Sequence, residues 1–372
     1  MHITVATGLY PPDIGGPATY AVMLEQELPA HGFSITTVPF TTVRRYPKII
    51  RHLRYTWKLW CASKNADIIY ALDPVSVGVS AWVVAKVRQK KFVLRVPGDY
   101  AWEQGQLRFG ITDQFHDFIE KRYQYNWRVR ALSRIESFIA AQAVQVIVPS
   151  RYMATAIEKW GVAAEKIKVI YSALEPLPVS EKRETLRAQQ SFPFPTLVSA
   201  GRLVPNKGFL GVIDVFVAIK AQYKDALLVI VGDGPQQSVL EKYVEEKGLV
   251  DGVRFVGRYS KEAMGAVVRA ADVFVLNTAH EGLSHQLLEV MDLGTPIVTT
   301  AVGGNPELIT DGINGYLVPY NDTAALTAAV THILHHSESR ERLVQMARSR
   351  SKEFSKEAVV AEIATLLKSI AV

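Results

Sequence analysis

Short, continuous apolar runs alternate with stretches of helical periodicity along the whole chain. Runs of that kind are what a parallel sheet covered on both faces requires, because neither side of such a strand meets water. In the first half they fall at Ile3–Thr7, Ser34–Phe40, Ile68–Ala71, Phe92–Val96 and Ala143–Val148. In the second half they fall at Thr196–Ala200, Leu227–Val231, Val253–Val256, Val273–Leu276, Ile297–Thr300 and Gly315–Val318. Between the two sets lies the proline-rich segment Leu174–Pro195, with a charged stretch from Glu181 to Arg187. The pattern predicts two Rossmann-like α/β domains with parallel sheets, over 1–175 and 196–355, joined by a linker over 176–195. A last helix, about 356–372, has no strand after it and is free to pack back on the first domain. Two such domains are expected to face one another across a cleft at the carboxyl ends of their sheets, where open α/β folds bind ligands.

Composition narrows the class. A chain of 372 residues, 48% hydrophobic and 21% charged, suits an ordinary globular protein with about two cores. Cys61 is the single cysteine, which excludes an intrachain disulfide or a thiolate metal cluster and fits a reducing cytoplasm. The opening strand lacks the basic flank and apolar region of a signal peptide, and no apolar run approaches the roughly 20 residues that span a bilayer. A soluble, cytoplasmic protein is the expectation. Charge is uneven: up to Pro195 there are 25 Lys and Arg against 16 Asp and Glu, and from Thr196 onward 17 against 20. That asymmetry predicts an anionic partner for the first half, such as a lipid headgroup layer or an acidic substrate, with no nucleic acid called for.

The segment His280–Thr300 carries the most specific chemistry. It places two carboxylates, Glu281 and Glu289, one just before a helix and one on its second turn. Ser284 is a good N-cap, Leu287, Leu288 and Met291 form the apolar stripe, and Gly294 and Pro296 stop the helix. The start of such a helix, with the amides of Leu283, Ser284 and His285, offers unpaired N–H groups to a phosphate. A carboxylate beside an anion site is costly unless it accepts hydrogen bonds, which sugar hydroxyls supply. The pairing predicts a sugar diphosphate ligand.

Further loops follow the predicted strands. Gly201-Arg202-Leu203-Val204-Pro205-Asn206-Lys207-Gly208 puts a guanidinium fork and an ammonium on one loop, the geometry for clamping a pyrophosphate. Taken alone these would be two solvated cations. Gly232-Asp233-Gly234-Pro235 resembles the opening of a dinucleotide fingerprint, but Gln237 stands where a third glycine belongs. It reads as a tight turn with room for a nucleotide to approach Gly234. Gly257-Arg258-Tyr259 either stacks on a base or is an ordinary loop. In the first half, Gly15 and Gly16 precede a helix and allow close approach of a phosphate, with Asp13 and Tyr20 nearby. Asp99 and Glu103, after Val96, are candidates for acid/base work or for accepting acceptor hydroxyls, and Trp102 for stacking on a sugar. The bland alternative there is a capped helix start with a core tryptophan. Finally, Lys48–Trp60 carries a stripe of Ile49, Leu53, Trp57 and Trp60 beside a basic face of Arg51, Arg54, Tyr55 and Lys58. It is either an interfacial membrane helix or a sheet-flanking helix with a core stripe.

Taken in order, Gly15-Gly16, Gly201-Arg202 with Lys207-Gly208, Gly232-Asp233-Gly234-Pro235, Glu281-Gly282-Leu283 with Glu289, Gly294-Thr295-Pro296, Gly303-Gly304 with Glu307, and Gly312–Val318 resemble the family-4 retaining glycosyltransferases of GT-B fold. The resemblance implies that Arg202 and Lys207, with the amides of Leu283 to His285 and with Gly16, hold the donor pyrophosphate. It implies that Glu289 binds ribose hydroxyls and that Glu281 lies by the donor sugar. The family's usual histidine after the fourth strand is replaced by Pro97-Gly98-Asp99, which makes Asp99 the local substitute and His116 a poorer one. The implied activity is metal-independent transfer of a sugar from a nucleoside-diphosphate sugar, with no bound cofactor, to a glycan or lipid-linked acceptor in cell-envelope polysaccharide or glycolipid synthesis. A position at the inner membrane face goes with it. Rival readings are a nucleotide-sugar epimerase on the same architecture and a non-catalytic sugar-nucleotide-binding scaffold. A dehydrogenase is disfavoured by Gln237.

Overall fold

In the computed structural model, residues 1–13 and 15–371 are described, Ala371 by its backbone alone. The chain forms two compact units, Met1–Tyr171 with Glu357–Val372, and Ser172–Lys356. Each is built on a six-stranded, wholly parallel sheet.

The first sheet comprises β1 (His2–Thr7), β2 (Ser34–Pro39), β3 (Ile68–Ala71), β4 (Lys91–Arg95), β5 (Gln145–Val148) and β6 (Ile167–Val169), in the order β2-β1-β3-β4-β5-β6. Its central strands are buried on both faces, as their continuous apolar sequences require. The edge strand β6 was not expected from sequence. It has three residues, and the middle one is the exposed Lys168, so no apolar run marks it. The helix Lys356–Ala371 packs on this unit, where Lys168 pairs with Glu362 at 3.5 Å and Lys368 lies over the Phe33 ring.

The second sheet comprises β7 (Thr196–Ala200), β8 (Leu227–Val231), β9 (Val253–Phe255), β10 (Val273–Leu276), β11 (Ile297–Thr300) and β12 (Tyr316–Val318), in the order β12-β11-β10-β7-β8-β9. The segment expected as a linker folds as part of this unit. Residues Arg183–Gln190 form a helix that buries Leu186 and packs against the helix Lys261–Ala270. Arg183 and Arg187 both donate to Asp272 at the start of β10. Its charged residues looked like solvated linker chemistry, yet they are tied to a buried carboxylate.

In both sheets the strand order reverses beside the first strand, between β1 and β3 and between β7 and β10. Successive loops leave such a point in opposite directions, opening a crevice at the carboxyl ends. The chemistry described next lies at these two points.

Candidate functional site

In the second unit, the loops after β7, β8, β9 and β10 are laced together through backbone contacts. The Leu203 amide donates to Asp233 O at 2.8 Å, and the Gly232 amide donates to Gly257 O at 2.8 Å. A Cβ at Gly232 would overlap the Gly201 carbonyl oxygen, and one at Gly234 would overlap that of Leu203. The glycines at 232 and 234 are therefore demanded by the neighbouring loop, which accounts for Gly234 without a ligand. Arg258 pairs with Asp233 at 2.7 Å across the same loops and is largely exposed.

At the switch point, the loops after β7 and β10 carry the charges. The Ala279 amide donates to Asn206 O at 2.8 Å, and Asn277 donates to Gly208 O at 2.9 Å, fixing the two loops. On that frame Lys207 forms an ion pair with Glu281. Arg202 is exposed and makes no side-chain hydrogen bond to the described residues. His280 lies beside them, its imidazole held down to about 4 by burial and by the Lys207 charge, and so neutral at physiological pH. Gly303 and Gly304 back this loop: a Cβ at either would overlap the carbonyl oxygen of Glu281 or Gly282, and the Gly304 amide donates to Glu281 O at 2.9 Å.

The helix His285–Leu293 begins at the same place. Its cap is Ser284, whose hydroxyl accepts from the Leu287 amide at 3.3 Å, and Gly294 ends it in the left-handed conformation at φ 77°. The preceding amides at Leu283, Ser284 and His285 lie at the positive end of the helix dipole. Glu289 is largely buried one turn further on. Burial pushes its carboxyl up to about 7, Lys261 opposes the shift, and Glu175 adds to it. Arg202, Lys207, Glu281 and the 283–285 amides thus share one end of one sheet, with Glu289 beside them.

The first unit carries a second concavity, of about 510 Å³, at its own switch point. Its walls include Gly8 and Leu9 after β1, Leu72 and Asp73 after β3, and Pro97 and Gly98 after β4. Asp73 is held by the amides of Val75 and Ser76, and burial raises its pKa. Glu103 also faces in. Water reaches it from one side while protein crowds the others, and burial with the nearby Asp73 and Asp99 pushes its carboxyl up to about 7. Asp73 follows a buried strand directly, a position that would have marked it as a candidate in sequence. Arg51, His52 and Arg108, also in the wall, have no such marker.

Asp99 corrects the sequence reading. Its side chain is 0% exposed, caps the helix Tyr100–Arg108 by accepting from the Trp102 amide at 2.8 Å, and pairs with the buried Arg122. Arg122 also bonds Glu136, whose pKa burial and Asp99 drive well up. Asp99 is a structural carboxylate and reaches no ligand. Trp102 is likewise core, donating its ring N–H to Asp113 O. His116 is exposed and lies outside the concavity. Asp13 pairs with Arg44 at 2.8 Å, and Tyr20 is buried against Tyr70, their hydroxyls 2.9 Å apart. Gly15 and Gly16 stand where expected, at the start of the helix Gly16–Glu27 in the first unit.

Two parallel-sheet Rossmann-like units with charged loops at their switch points define the glycosyltransferases of GT-B fold. Comparison supports that class over nearly the whole chain. The model described as Glycosyltransferase Family 4 matches residues 14–176, and that described as Glycosyl transferases group 1 matches residues 182–350. The chain belongs to the family-4 glycosyltransferases. Curated relatives include the lipopolysaccharide core biosynthesis glycosyltransferase LpsE of Rhizobium meliloti, 31% identical over 176 residues, which are 47% of this chain and 50% of LpsE. Another is the phosphatidyl-myo-inositol mannosyltransferase of Mycobacterium leprae, 29% identical over 168 residues, 45% of this chain and 44% of that protein. The chain thus spans about half the length of these relatives. Among solved structures, Anabaena Alr3699/HepE in complex with UDP shares the fold at a TM-score of 0.79 and 20% identity, covering 99% of this chain and 100% of that one.

Proposed function

We propose that this protein is a retaining, metal-independent glycosyltransferase that uses a nucleoside-diphosphate sugar, with an acceptor hydroxyl on a glycan or lipid-linked molecule. One observation carries the reading: Arg202, Lys207, Glu281 and the amide end of the helix 285–293 converge at the switch point of a single parallel sheet. That set suits a diphosphate flanked by hydroxyl-bearing groups. HepE with UDP on the same fold, and relatives named for lipopolysaccharide and phosphatidylinositol glycosylation, support the choice of donor and acceptor class.

In this reading the anomeric C–O bond of the donor breaks, and the electron pair leaves with the diphosphate. Arg202, Lys207 and the amides of Leu283 to His285 stabilise that charge, the role a metal plays in other transferases. Lys207 exchanges Glu281 for phosphate, which frees Glu281 to accept hydroxyls of the donor sugar or face the cationic anomeric carbon. Glu289 accepts from the ribose. The acceptor oxygen bonds to the anomeric carbon from the face the diphosphate leaves, and its proton passes to a diphosphate oxygen. Gly15 and Gly16 offer backbone to the same diphosphate, and Arg258 a contact for the base.

We place the protein at an anionic membrane surface. No helix among the described residues is long and apolar enough to cross one. Instead the stripe of Ile49, Leu53 and Trp57 points outward, 77, 67 and 66% exposed, while Tyr55 and Leu59 form the buried side. Of the two readings of this helix, the interfacial one fits that exposure.

The function is tested by thermal stabilisation with UDP-, GDP-, ADP- and TDP-sugars, with and without magnesium. Binding to the folded state alone raises the melting temperature with ligand concentration. A metal-independent rise with one base, abolished by Arg202→Ala, is expected. No rise with any of them would overturn the donor assignment.

A further inference from the structure

Three helices line one outer layer of the first unit: Lys48–Ala62, Gly78–Val87 and Trp127–Gln142, the middle one packed against both others. Each leaves apolar side chains in water. The first exposes Ile49, Leu53 and Trp57, and the second Val79, Val83 and Val87 at the same one-turn spacing, Val87 at 63%. The third adds Ile135 and Phe138, with Phe138 in edge contact with Trp82 of the middle helix. Cations border the layer at Arg54, Lys58, Lys86 and Arg134. The three helices contain one acidic residue, Glu136, and it is buried. An apolar layer edged only by cations complements an anionic lipid surface, and a protein partner would need an unusually acidic rim to match it.

The inner side of the first helix points the other way. Arg51 and His52 line the 510 Å³ concavity, with Arg108 from the helix Tyr100–Arg108 in the same wall. Arg51 holds its guanidinium carbon 5.7 Å from the Phe40 ring centre, and its Nε is buried without a hydrogen-bond partner. An unpaired buried donor is costly, and the cost is relieved by an acceptor entering the concavity. Arg108 makes no side-chain hydrogen bond to the described residues, whereas Arg44 is occupied by Asp13 and Gly8 O. The same wall holds Asp73 and Glu103, acceptors suited to sugar hydroxyls. One helix therefore joins a phosphate-ready cationic wall to a lipid-facing stripe.

We infer that the concavity takes the phosphate of a membrane-anchored, phospholipid-linked sugar acceptor through Arg51 and Arg108, with the three-helix layer resting on the bilayer that supplies it. This rests on the transferase reading above and names its acceptor class. A soluble sugar phosphate would fill the concavity but leave the apolar layer unexplained. A neutral glycolipid would use the layer but leave Arg51 unpaired.

The test is flotation of the full chain with phosphatidylcholine vesicles carrying geranylgeranyl phosphate, geranylgeraniol, or phosphatidylglycerol matched in charge to the phosphate. The phosphate vesicles should bind about tenfold tighter than the alcohol vesicles, the worth of one charge-assisted hydrogen bond. They should also bind tighter than phosphatidylglycerol, which brings charge without a phosphate monoester end. Arg51→Gln with Arg108→Gln should remove the preference while leaving binding to phosphatidylglycerol unchanged. Leu53→Ser with Trp57→Ser should lower binding to all three. Equal binding of phosphate and alcohol vesicles, or an equal loss on both anionic vesicles in the arginine variant, overturns the inference. Donor-induced thermal stabilisation, measured on the same variants, reports folding and the transferase reading separately: its absence in the wild type overturns that reading, whatever the vesicles show.

Discussion

Lys207 and Glu281, on loops that leave β7 and β10 at the reversal of strand order, meet as an ion pair in the ligand-free protein. Both are largely buried, so neither charge is well solvated if the other is removed. An incoming diphosphate competes with the carboxylate for the ammonium. Lys207→Ala should therefore lower kcat by about 10² to 10³. Glu281→Gln frees the ammonium, so it should bind nucleoside diphosphate at least as tightly while turning over more slowly. Steady-state kinetics with isothermal titration on both variants decides it. Unchanged kcat in both removes the pair from the chemistry.

Glu289 gives a pH signature. Its carboxyl titrates at about 7 in the folded protein, against an ordinary value of 4.5. The folded state then holds a proton that the unfolded chain has lost, so this group favours folding at low pH and that contribution falls as pH rises between those values. A ribose whose hydroxyls donate to the carboxylate prefers the ionised form. Nucleotide affinity should rise with pH through about 7, and Glu289→Gln should flatten the profile as well as weaken binding. Titration across pH 6 to 8 reads both, and a flat wild-type profile counts against the ribose contact.

The lacing of the loops makes a separate prediction. A methyl group at Gly232 would overlap the Gly201 carbonyl oxygen, and at φ 133° the backbone itself disfavours a side chain. Gly232→Ala should cost about 1–3 kcal/mol of stability from overpacking and strain. Because Arg202 follows Gly201 directly, donor binding should weaken too. Gly248, also at positive φ but with open space around its Cβ position, is the control: Gly248→Ala meets the backbone penalty alone. Equal losses at both sites, by chemical denaturation, would show that the loop contact contributes nothing.

The architecture was legible because most strands are uninterrupted apolar runs bounded by glycine or proline, and a parallel sheet leaves few other arrangements for them. The strand β6 was not, since its three residues include an exposed lysine. The second unit's loops were readable for a related reason. Glycine is forced at 232, 303 and 304 by backbone contact, so those loops carry fixed letters around the charged residues. The first unit's concavity uses ordinary residues such as Asp73, Arg51 and Arg108, placed together by topology alone. The helix Lys48–Ala62 shows the limit most clearly. Its periodicity defines two faces, but which of them meets the sheet is decided by Tyr55 and Leu59, and the larger stripe is left outside.

Asp99 tests the distinction between a candidate position and a working one. It is joined to Arg122 and through it to Glu136, all three with side chains at or below 2% exposed. Arg122 also lies 4.3 Å from the Trp160 ring centre, so the guanidinium is enclosed on every side. Removing one partner of such a set strands a buried charge. Asp99→Ala should cost about 3–5 kcal/mol, and it loses the cap on the helix Tyr100–Arg108 as well. Asp99→Asn keeps the Trp102 contact and should cost less. Neither acts on the second unit's donor loops, so donor affinity measured below the variants' melting temperatures should stay at the wild-type value. A lowered kcat in Asp99→Asn with unchanged stability would be the opposite pattern, and would return Asp99 to the reacting groups.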